Sequence, residues 1–190
     1  MAKIGVFLGS HNGHQCYTNA VLLLGQEVAA RGHVLVCGAS GSGTMGSLIE
    51  SALNAGGAVI GVLPSEVNSN EVPHPDLIQI HKVPTVSDRK KEIRELSDII
   101  ITLPGGIGTL DEFFEAYALK KSNLFNKPIG LLNINGFYNS LIAQIGVIIN
   151  EGFAKEKHRE LFSHSSDATA LLDSLLSKIE ANKIKTTHNI

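Results

Sequence analysis

The chain has 190 residues and a formal net charge of −2. This length suffices for one α/β domain with a full hydrophobic core, and the near-neutral charge does not indicate a surface for nucleic acid or an acidic membrane. Cys16 and Cys37 lack the spacing of metal ligands, no apolar run could cross a membrane, and the apolar stretch 3–9 is too short for a signal peptide. We therefore expect a cytoplasmic protein that binds neither nucleic acid nor a membrane.

Short apolar segments alternate with amphipathic segments along the chain. Strands are predicted at 3–10, 33–39, 58–63, 77–83, 98–103 and 128–133, and helices at 17–31, from Thr44 onward, and at 85–96, 110–121, 136–150 and 167–181. Regular alternation of strands and helices is typical of a doubly wound sheet. We expect a single Rossmann-like α/β domain at 1–181, with a mostly parallel sheet flanked by helices, and a frayed tail at 182–190.

The loops after the first two predicted strands carry weak signals. Gly41 to Gly46 formally matches the dinucleotide pattern G-x-G-x-x-G. It follows the second strand instead of the first, and the acidic residue about twenty positions on, Glu66, lies beyond the next strand. Close packing of a helix that begins near Thr44 is an adequate reason for these glycines. His11 and His14 have no evident third ligand, so we expect no metal.

The most informative stretch, 103–112, reads Leu-Pro-Gly-Gly-Ile-Gly-Thr-Leu-Asp-Glu and lies between a predicted strand and a predicted helix. Glycines allow backbone N–H groups to approach a ligand, and a helix start is electropositive. Thr109 and Glu112 also have the spacing of a capping box, which is an alternative role for the glutamate. A cap does not require three glycines in four positions, so an anionic ligand is predicted here.

A charged cluster at 88–92, Asp-Arg-Lys-Lys-Glu, lies on the predicted helix 85–96. On the residues alone, a solvated helix face is the simpler interpretation of such a cluster. A functional role for these charges stays open at this point.

The sequence Pro104-Gly105-Gly106-Ile107-Gly108-Thr109-Leu110-Asp111-Glu112 resembles the P-G-G-x-G-T-x-x-E signature of the LOG (LONELY GUY) family. These enzymes are cytokinin riboside 5′-monophosphate phosphoribohydrolases and were long mislabelled as lysine decarboxylases. The resemblance runs from about residue 3 to 153 and includes 43–46, 61–64, 88–90, 127–133 and 151–153.

The resemblance implies hydrolysis of the N-glycosidic bond of a purine nucleoside 5′-monophosphate, in which the base is adenine or an N6-substituted adenine. The products are free base and ribose 5-phosphate, and no cofactor is required. The family's essential arginine and glutamate fall on Arg89 and Glu112, and a substrate-contacting glutamate falls on Glu66. A homodimer is also implied.

These residue types suit such chemistry. Cleavage at the ribose C1′ builds oxocarbenium character, which the Glu112 carboxylate can stabilise while it orients or deprotonates water. The substrate phosphate is expected on the N–H groups of Gly105, Gly106, Gly108 and Thr109, and Lys90 is expected to add phosphate affinity. Arg89 can grip the phosphate or stabilise the departing base, and the sequence does not decide between these roles.

Departures from the family pattern leave the preferred base open. Ala39-Ser40 replaces a glycine pair after the second strand, and Val86-Ser87 replaces Met-His before the acidic-Arg-Lys run. Two other classes compete with the hydrolase, namely a non-catalytic nucleotide or cofactor carrier on the same fold and an NAD-linked oxidoreductase. A lysine decarboxylase is set aside, because no lysine lies in a context that indicates a Schiff base with pyridoxal phosphate.

Overall fold

Runs of buried, mostly branched residues form a parallel sheet in the computed structural model, which describes residues 1–66 and 72–187, with side chains up to residue 181. In this part of the chain the strands are β1 (Lys3–Phe7), β2 (Val34–Gly38), β3 (Ala58–Pro64), β4 (Gln79–Val83), β5 (Ile99–Thr102), β6 (Ile129–Leu132) and β7 (Ser163–Ser165). The α-helices are α1 (Gln15–Ala30), α2 (Gly43–Asn54), α3 (Val86–Leu96), α4 (Ile107–Lys121), α5 (Asn139–Asn150) and α6 (Ala168–Thr187). Short 3-10 helices occupy Ile134–Gly136 and Glu156–Leu161.

The strand order is β4-β3-β2-β1-β5-β6-β7, and every strand pairs with its neighbours in parallel. The chain runs outward from β1 to β4, then returns to β5 beside β1 and continues to β7. The order therefore reverses between β1 and β5, whose last residues, Phe7 and Thr102, are register partners. Parallel sheets bind ligands at the carboxyl ends of the strands beside such a reversal.

Helices cover both faces of the sheet. Alternate residues of β5 separate the two cores, since Ile99 and Ile101 face α1, α2 and α6, whereas Ile100 faces α3, α4 and α5. Strands β1, β2, β3, β5 and β6 are largely buried on both sides, which explains why they read as continuous apolar runs, whereas the edge strands β4 and β7 are partly exposed. The predicted doubly wound α/β fold with a parallel sheet is confirmed.

The structure differs from the predicted elements in detail. The short strand β7, with the sequence Ser-His-Ser, was not predicted from the sequence, and α6 continues through Thr187 where a frayed tail is expected. Asp167 caps α6 as expected, because its carboxylate accepts a hydrogen bond of 2.8 Å from the Ala170 N–H. Residues 67–71 and 188–190 lie outside the described residues. No helix within the described part of the chain is long and apolar enough to cross a membrane.

Candidate active site

Two clefts are candidates for a functional site. One, of about 640 Å³, opens at the carboxyl ends of β1 and β5 and is lined by the loops that follow these strands. The other, of about 750 Å³, lies at the amino ends of β6 and β7. We assign the functional site to the first cleft despite its smaller volume, because it lies at the reversal of strand order.

The glycine-rich turn after β5 forms one wall of this cleft. Helix α4 begins at Ile107 with Gly106 as its N-cap, and no side chain among the described residues caps it. Thr109 is the third residue of the helix, so the alternative of a Thr109–Glu112 capping box is wrong. The N–H groups of Ile107, Gly108 and Thr109 have no acceptor within the helix. An anion at this helix start would receive these donors and the positive end of the helix dipole.

The three glycines of the turn have different surroundings. A Cβ atom on Gly105 would collide with the Thr109 side chain and lie 2.8 Å from the Gly9 backbone nitrogen. Gly105 therefore allows the loop after β5 to pack against the loop after β1. A Cβ atom on Gly106 or Gly108 would meet no atom within 4 Å. These two glycines leave space at the helix start that a ligand can fill.

Glu112 lies in the second turn of α4 at the edge of the cleft. Its side chain is 8% exposed, and burial raises its pKa to about 7 although Arg89 and Lys90 lower it. Arg89, on α3, places Nη2 at 3.5 Å from Glu112 Oε1, which is longer than a strong hydrogen bond. The Arg89 Nε is buried without a hydrogen-bond partner among the described residues. The guanidinium therefore has donor capacity left for a ligand.

Aromatic and apolar side chains form the opposite wall, and sequence reasoning missed them as site residues. The rings of Tyr17 and Phe137 meet edge to face with centroids 5.5 Å apart, and Val21 and Met45 lie beside them. Phe137 follows β6 and Tyr17 follows the loop after β1, so their position after strands at the centre of the sheet is the signal that could have found them.

The loop after β1 is held by the start of α2. The Thr44 hydroxyl donates to the carbonyl oxygens of Gly9 at 2.7 Å and His11 at 3.0 Å. Gly43 has φ of +61°, and a Cβ atom there would collide with the Ser10 carbonyl oxygen. The packing interpretation of the 41–46 glycines therefore fits the structure better than the dinucleotide pattern does.

Two residues predicted to bind substrate do not line the cleft in the structure. The Lys90 ammonium lies 2.6 Å from Asp111 Oδ2 and 2.8 Å from Glu115 Oε2. Glu66 is exposed, and its carboxylate accepts a hydrogen bond of 3.2 Å from the Val86 N–H at the start of α3. The structure thus brings Arg89, Glu112 and the glycine turn together, and it does not bring Lys90 or Glu66 to them.

Comparison with known proteins agrees with this geometry. The family model described as "Possible lysine decarboxylase" matches residues 45–175. A probable cytokinin riboside 5′-monophosphate phosphoribohydrolase of Oryza sativa subsp. japonica is 37% identical over 91% of this chain and 77% of its own length. A cytokinin riboside 5′-monophosphate phosphoribohydrolase of Arabidopsis thaliana is 35% identical over 95% of this chain and 78% of its own length.

Solved structures share the fold. The molybdenum cofactor binding protein of Rippkaea orientalis has a TM-score of 0.71 at 26% identity, covering 94% of this chain and 97% of that chain. The molybdenum cofactor carrier protein of Chlamydomonas reinhardtii has a TM-score of 0.69 at 22% identity, covering 93% of this chain and 98% of that chain. The fold and cleft define a Rossmann-like α/β protein with a cleft at the start of α4, where the strand order reverses. Within this class, the chain belongs to the LOG family.

The raised pKa of Glu112 predicts how the stability of the folded protein depends on pH. Between pH of about 4.5 and about 7, the folded state holds the Glu112 proton more tightly than the unfolded state does, so this group's contribution to stability falls as pH rises through that window. The Glu112→Gln variant mimics the protonated form. It should be more stable than wild type at pH 8, on the order of 2 kcal/mol or about 5 °C in Tm, and nearly equal at pH 4.5.

Thermal unfolding monitored by circular dichroism across this pH range measures the difference. Glu95→Gln, at a carboxylate 61% exposed on α3, is the matched control and should show no such dependence. A Glu112→Gln curve parallel to wild type at all pH values would contradict the buried, proton-binding carboxyl.

Proposed function

We propose that this chain hydrolyses the N-glycosidic bond of a purine nucleoside 5′-monophosphate, with adenine or an N6-substituted adenine as the base. The products are the free base and ribose 5-phosphate. The observation that carries the proposal is the buried Glu112 carboxyl group, with the partly buried Arg89 beside it, next to the start of α4. The phosphoribohydrolase names of relatives at 35–37% identity support it.

The substrate phosphate binds at the first turn of α4. The free N–H groups there belong to Ile107, Gly108 and Thr109, so Ile107 joins the phosphate donors predicted from the sequence. Glu112 lies five residues after Ile107, a rise of about 7.5 Å along the helix. A ribose held by its phosphate at the helix start would therefore extend along α4 toward the carboxylate.

Glu112 acts on the ribose C1′. As the bond to the base breaks, positive charge develops at C1′ and the ring oxygen, and a nearby carboxylate stabilises this charge. The same carboxylate accepts a proton from the attacking water, whose oxygen forms the new bond to C1′. The electron pair of the broken bond leaves with the base, which takes up a proton from solvent, and Glu112 then returns its proton to solvent. A pKa of about 7 suits this role, because a general base is most effective when its pKa is near the working pH.

Arg89 can either bind the substrate phosphate or stabilise the departing base. Its weak contact with Glu112 and its unpartnered Nε leave it free to bind the phosphate or to donate to the departing base. Tyr17, Phe137 and Met45 offer apolar and aromatic contacts for a purine ring, and either adenine or an N6-prenylated adenine fits this chemistry. With the prenylated nucleotide as substrate, the enzyme would act in cytokinin biosynthesis. The proposed chemistry requires no cofactor, and a cytoplasmic location stays a prediction.

A cofactor carrier is the second candidate, favoured by the structural similarity to the Rippkaea orientalis protein. A carrier needs the anion site but gains nothing from a buried carboxyl whose ionisation destabilises the fold. The Glu112–Arg89 pair therefore favours the hydrolase.

The first prediction of this proposal is release of free base. Purified protein incubated with AMP, and separately with isopentenyl-AMP, should release adenine or isopentenyladenine, detected by chromatography. Glu112→Gln should lose about 10²-fold or more of this activity, and Glu95→Gln should retain it. The wild-type kcat/KM should fall below a pH of about 7 as Glu112 becomes protonated.

The ratio of the two rates identifies the preferred base. If neither nucleotide is cleaved while AMP still binds, the hydrolase proposal fails and the carrier becomes the better description. If Glu112→Gln keeps full activity, the catalytic role of this residue is wrong.

A second prediction concerns the phosphate turn. Gly108→Ala places a methyl group in the open space at the start of α4, where the phosphate is expected. The KM for AMP should rise about tenfold through loss of phosphate contacts, while stability stays equal or increases by up to about 1 kcal/mol because alanine favours a helix. The measurements are steady-state kinetics and thermal unfolding.

Gly146→Ala on α5 is the matched control, because the added methyl group would meet only the end of the Arg159 side chain at 3.2 Å. Its KM should equal that of wild type. An unchanged KM in Gly108→Ala would place the phosphate elsewhere.

We further propose a homodimer that uses the layer of α4 and α5. Large apolar side chains on and after these helices are exposed, with Phe114 at 39%, Val147 at 49% and Phe153 at 83%. Sedimentation equilibrium should give twice the mass of one chain, and the Val147→Asp substitution should shift the measured mass toward that of the monomer. Leu23→Asp, at 41% exposure on the opposite layer, should leave the mass unchanged. A monomeric wild type would contradict the dimer.

A further inference from the structure

We propose that Lys90 is a positioning residue, which holds α3 and α4 in the register that brings Arg89 to Glu112, and is not a ligand of the substrate phosphate. The inference rests on the proposed hydrolase function. It concerns contacts between the two helices that carry the catalytic pair.

Lys90 belongs to a ladder of ion pairs between α3 and α4. Its ammonium lies 2.6 Å from Asp111 Oδ2 and 2.8 Å from Glu115 Oε2, and Arg94 Nη2 lies 2.8 Å from Glu115 Oε1. Lys90 and Arg94 are one helical turn apart on α3, as Asp111 and Glu115 are on α4. Two cations thus face two carboxylates at matching intervals, which fixes how one helix lies along the other.

Burial distinguishes this ladder from an ordinary charged helix surface. The side chains of Lys90 and Arg94 are only 12% and 7% exposed. Lys91, the next residue, is 65% exposed and approaches Glu95 only to 3.8 Å. Breaking a buried ion pair leaves an uncompensated charge and is costly, whereas exposed pairs contribute little. Withdrawing Lys90 to reach a phosphate would take the ammonium away from the buried Oε2 of Glu115 as well as from the exposed Asp111.

Neighbouring positions connect the ladder to the catalytic pair. Arg89 directly precedes Lys90 on α3, and Glu112 directly follows Asp111 on α4. The contact between Lys90 and Asp111 therefore also fixes the separation of Arg89 and Glu112. Adjacent helical residues point in different directions, about 100° apart. Arg89 and Glu112 accordingly line the cleft, and Lys90 and Asp111 lie beside it. The 3.5 Å contact of Arg89 with Glu112 is too weak to hold this geometry alone.

Lys90 also affects the proton affinity of Glu112. Arg89 and Lys90 on α3 lower the pKa of Glu112, and Asp111 and Glu115 on its own helix raise it. Tyr138, whose pKa is raised by burial and by Glu112, lies in the segment before α5. His11, in the loop after β1, and Tyr17, on α1, line the same cleft as Glu112. Removing the Lys90 charge should therefore raise the pKa of Glu112 and move the acidic limb of the kcat/KM profile to higher pH.

The test compares Lys90→Met with two controls, Lys90→Arg and Lys91→Met, in steady-state kinetics with AMP across pH. Lys90→Met should lose about tenfold or more in kcat, because small misplacements of catalytic groups are costly, while KM stays within about threefold. Its acidic limb should move to higher pH. Lys90→Arg, which can still pair with both carboxylates, should restore most of kcat, and Lys91→Met should match wild type.

Asp111→Asn separates the two roles of Lys90 without depending on the folding of Lys90→Met. Asp111 is 60% exposed, and its replacement leaves Lys90 paired with Glu115. A positioning role predicts a lower kcat with little change in KM. A phosphate-binding role predicts a lower KM, because the ammonium would be freed from one carboxylate.

Two results would overturn the inference. One is a large rise in KM at unchanged kcat in Lys90→Met, and the other is a lower KM in Asp111→Asn. If wild type releases no base, the hydrolase proposal fails separately. In that case the affinity for AMP, measured by isothermal titration calorimetry, still tests the inference, since it should stay near that of wild type in Lys90→Met and should fall if Lys90 binds the phosphate.

Discussion

The burial of one carboxyl group, that of Glu112, is the constraint on which the site depends. Ionising a carboxyl group away from water is unfavourable, and its pKa of about 7 shows that Arg89 and Lys90 only partly compensate. Because the Arg89 contact is 3.5 Å long, the charged group is held mainly by the helices around it. The ladder of ion pairs from Lys90 to Glu115 joins those helices at this point.

Helix α4 joins the two halves of the site. Its uncapped first turn offers N–H groups to an anion, and its second turn carries the carboxyl group, so one rigid element sets the distance between them. The close approach of the loops after β1 and β5 depends on Gly105, whose Cβ atom would collide with Thr109. The sheet places both loops at the same edge because β1 and β5 are paired in register through Phe7 and Thr102.

Much of the fold could be predicted because the central strands are buried on both faces and read as branched apolar runs such as Ile99–Thr102. Strand β7 could not be predicted from the sequence, because Ser-His-Ser has no apolar pattern. It forms a strand only by pairing with β6 at the sheet edge. The start of α4 was also missed, because a glycine N-cap has no side-chain signal. Lys90 and Asp111 are 21 residues apart, and no local pattern gives the register between their helices.

The same fold serves a carrier or an enzyme, and the difference lies in what is placed beside the bound anion. A site that only holds a phosphorylated ligand is weakened by a nearby carboxylate, because like charges repel at short range in a poorly solvated cleft. The Glu112 carboxylate lies within the reach of a ligand at the start of α4, and its ionisation lowers the stability of the folded protein. That arrangement is unfavourable for binding alone, and it becomes favourable when positive charge develops on the ribose during bond cleavage, since only then does the carboxylate face an opposite charge.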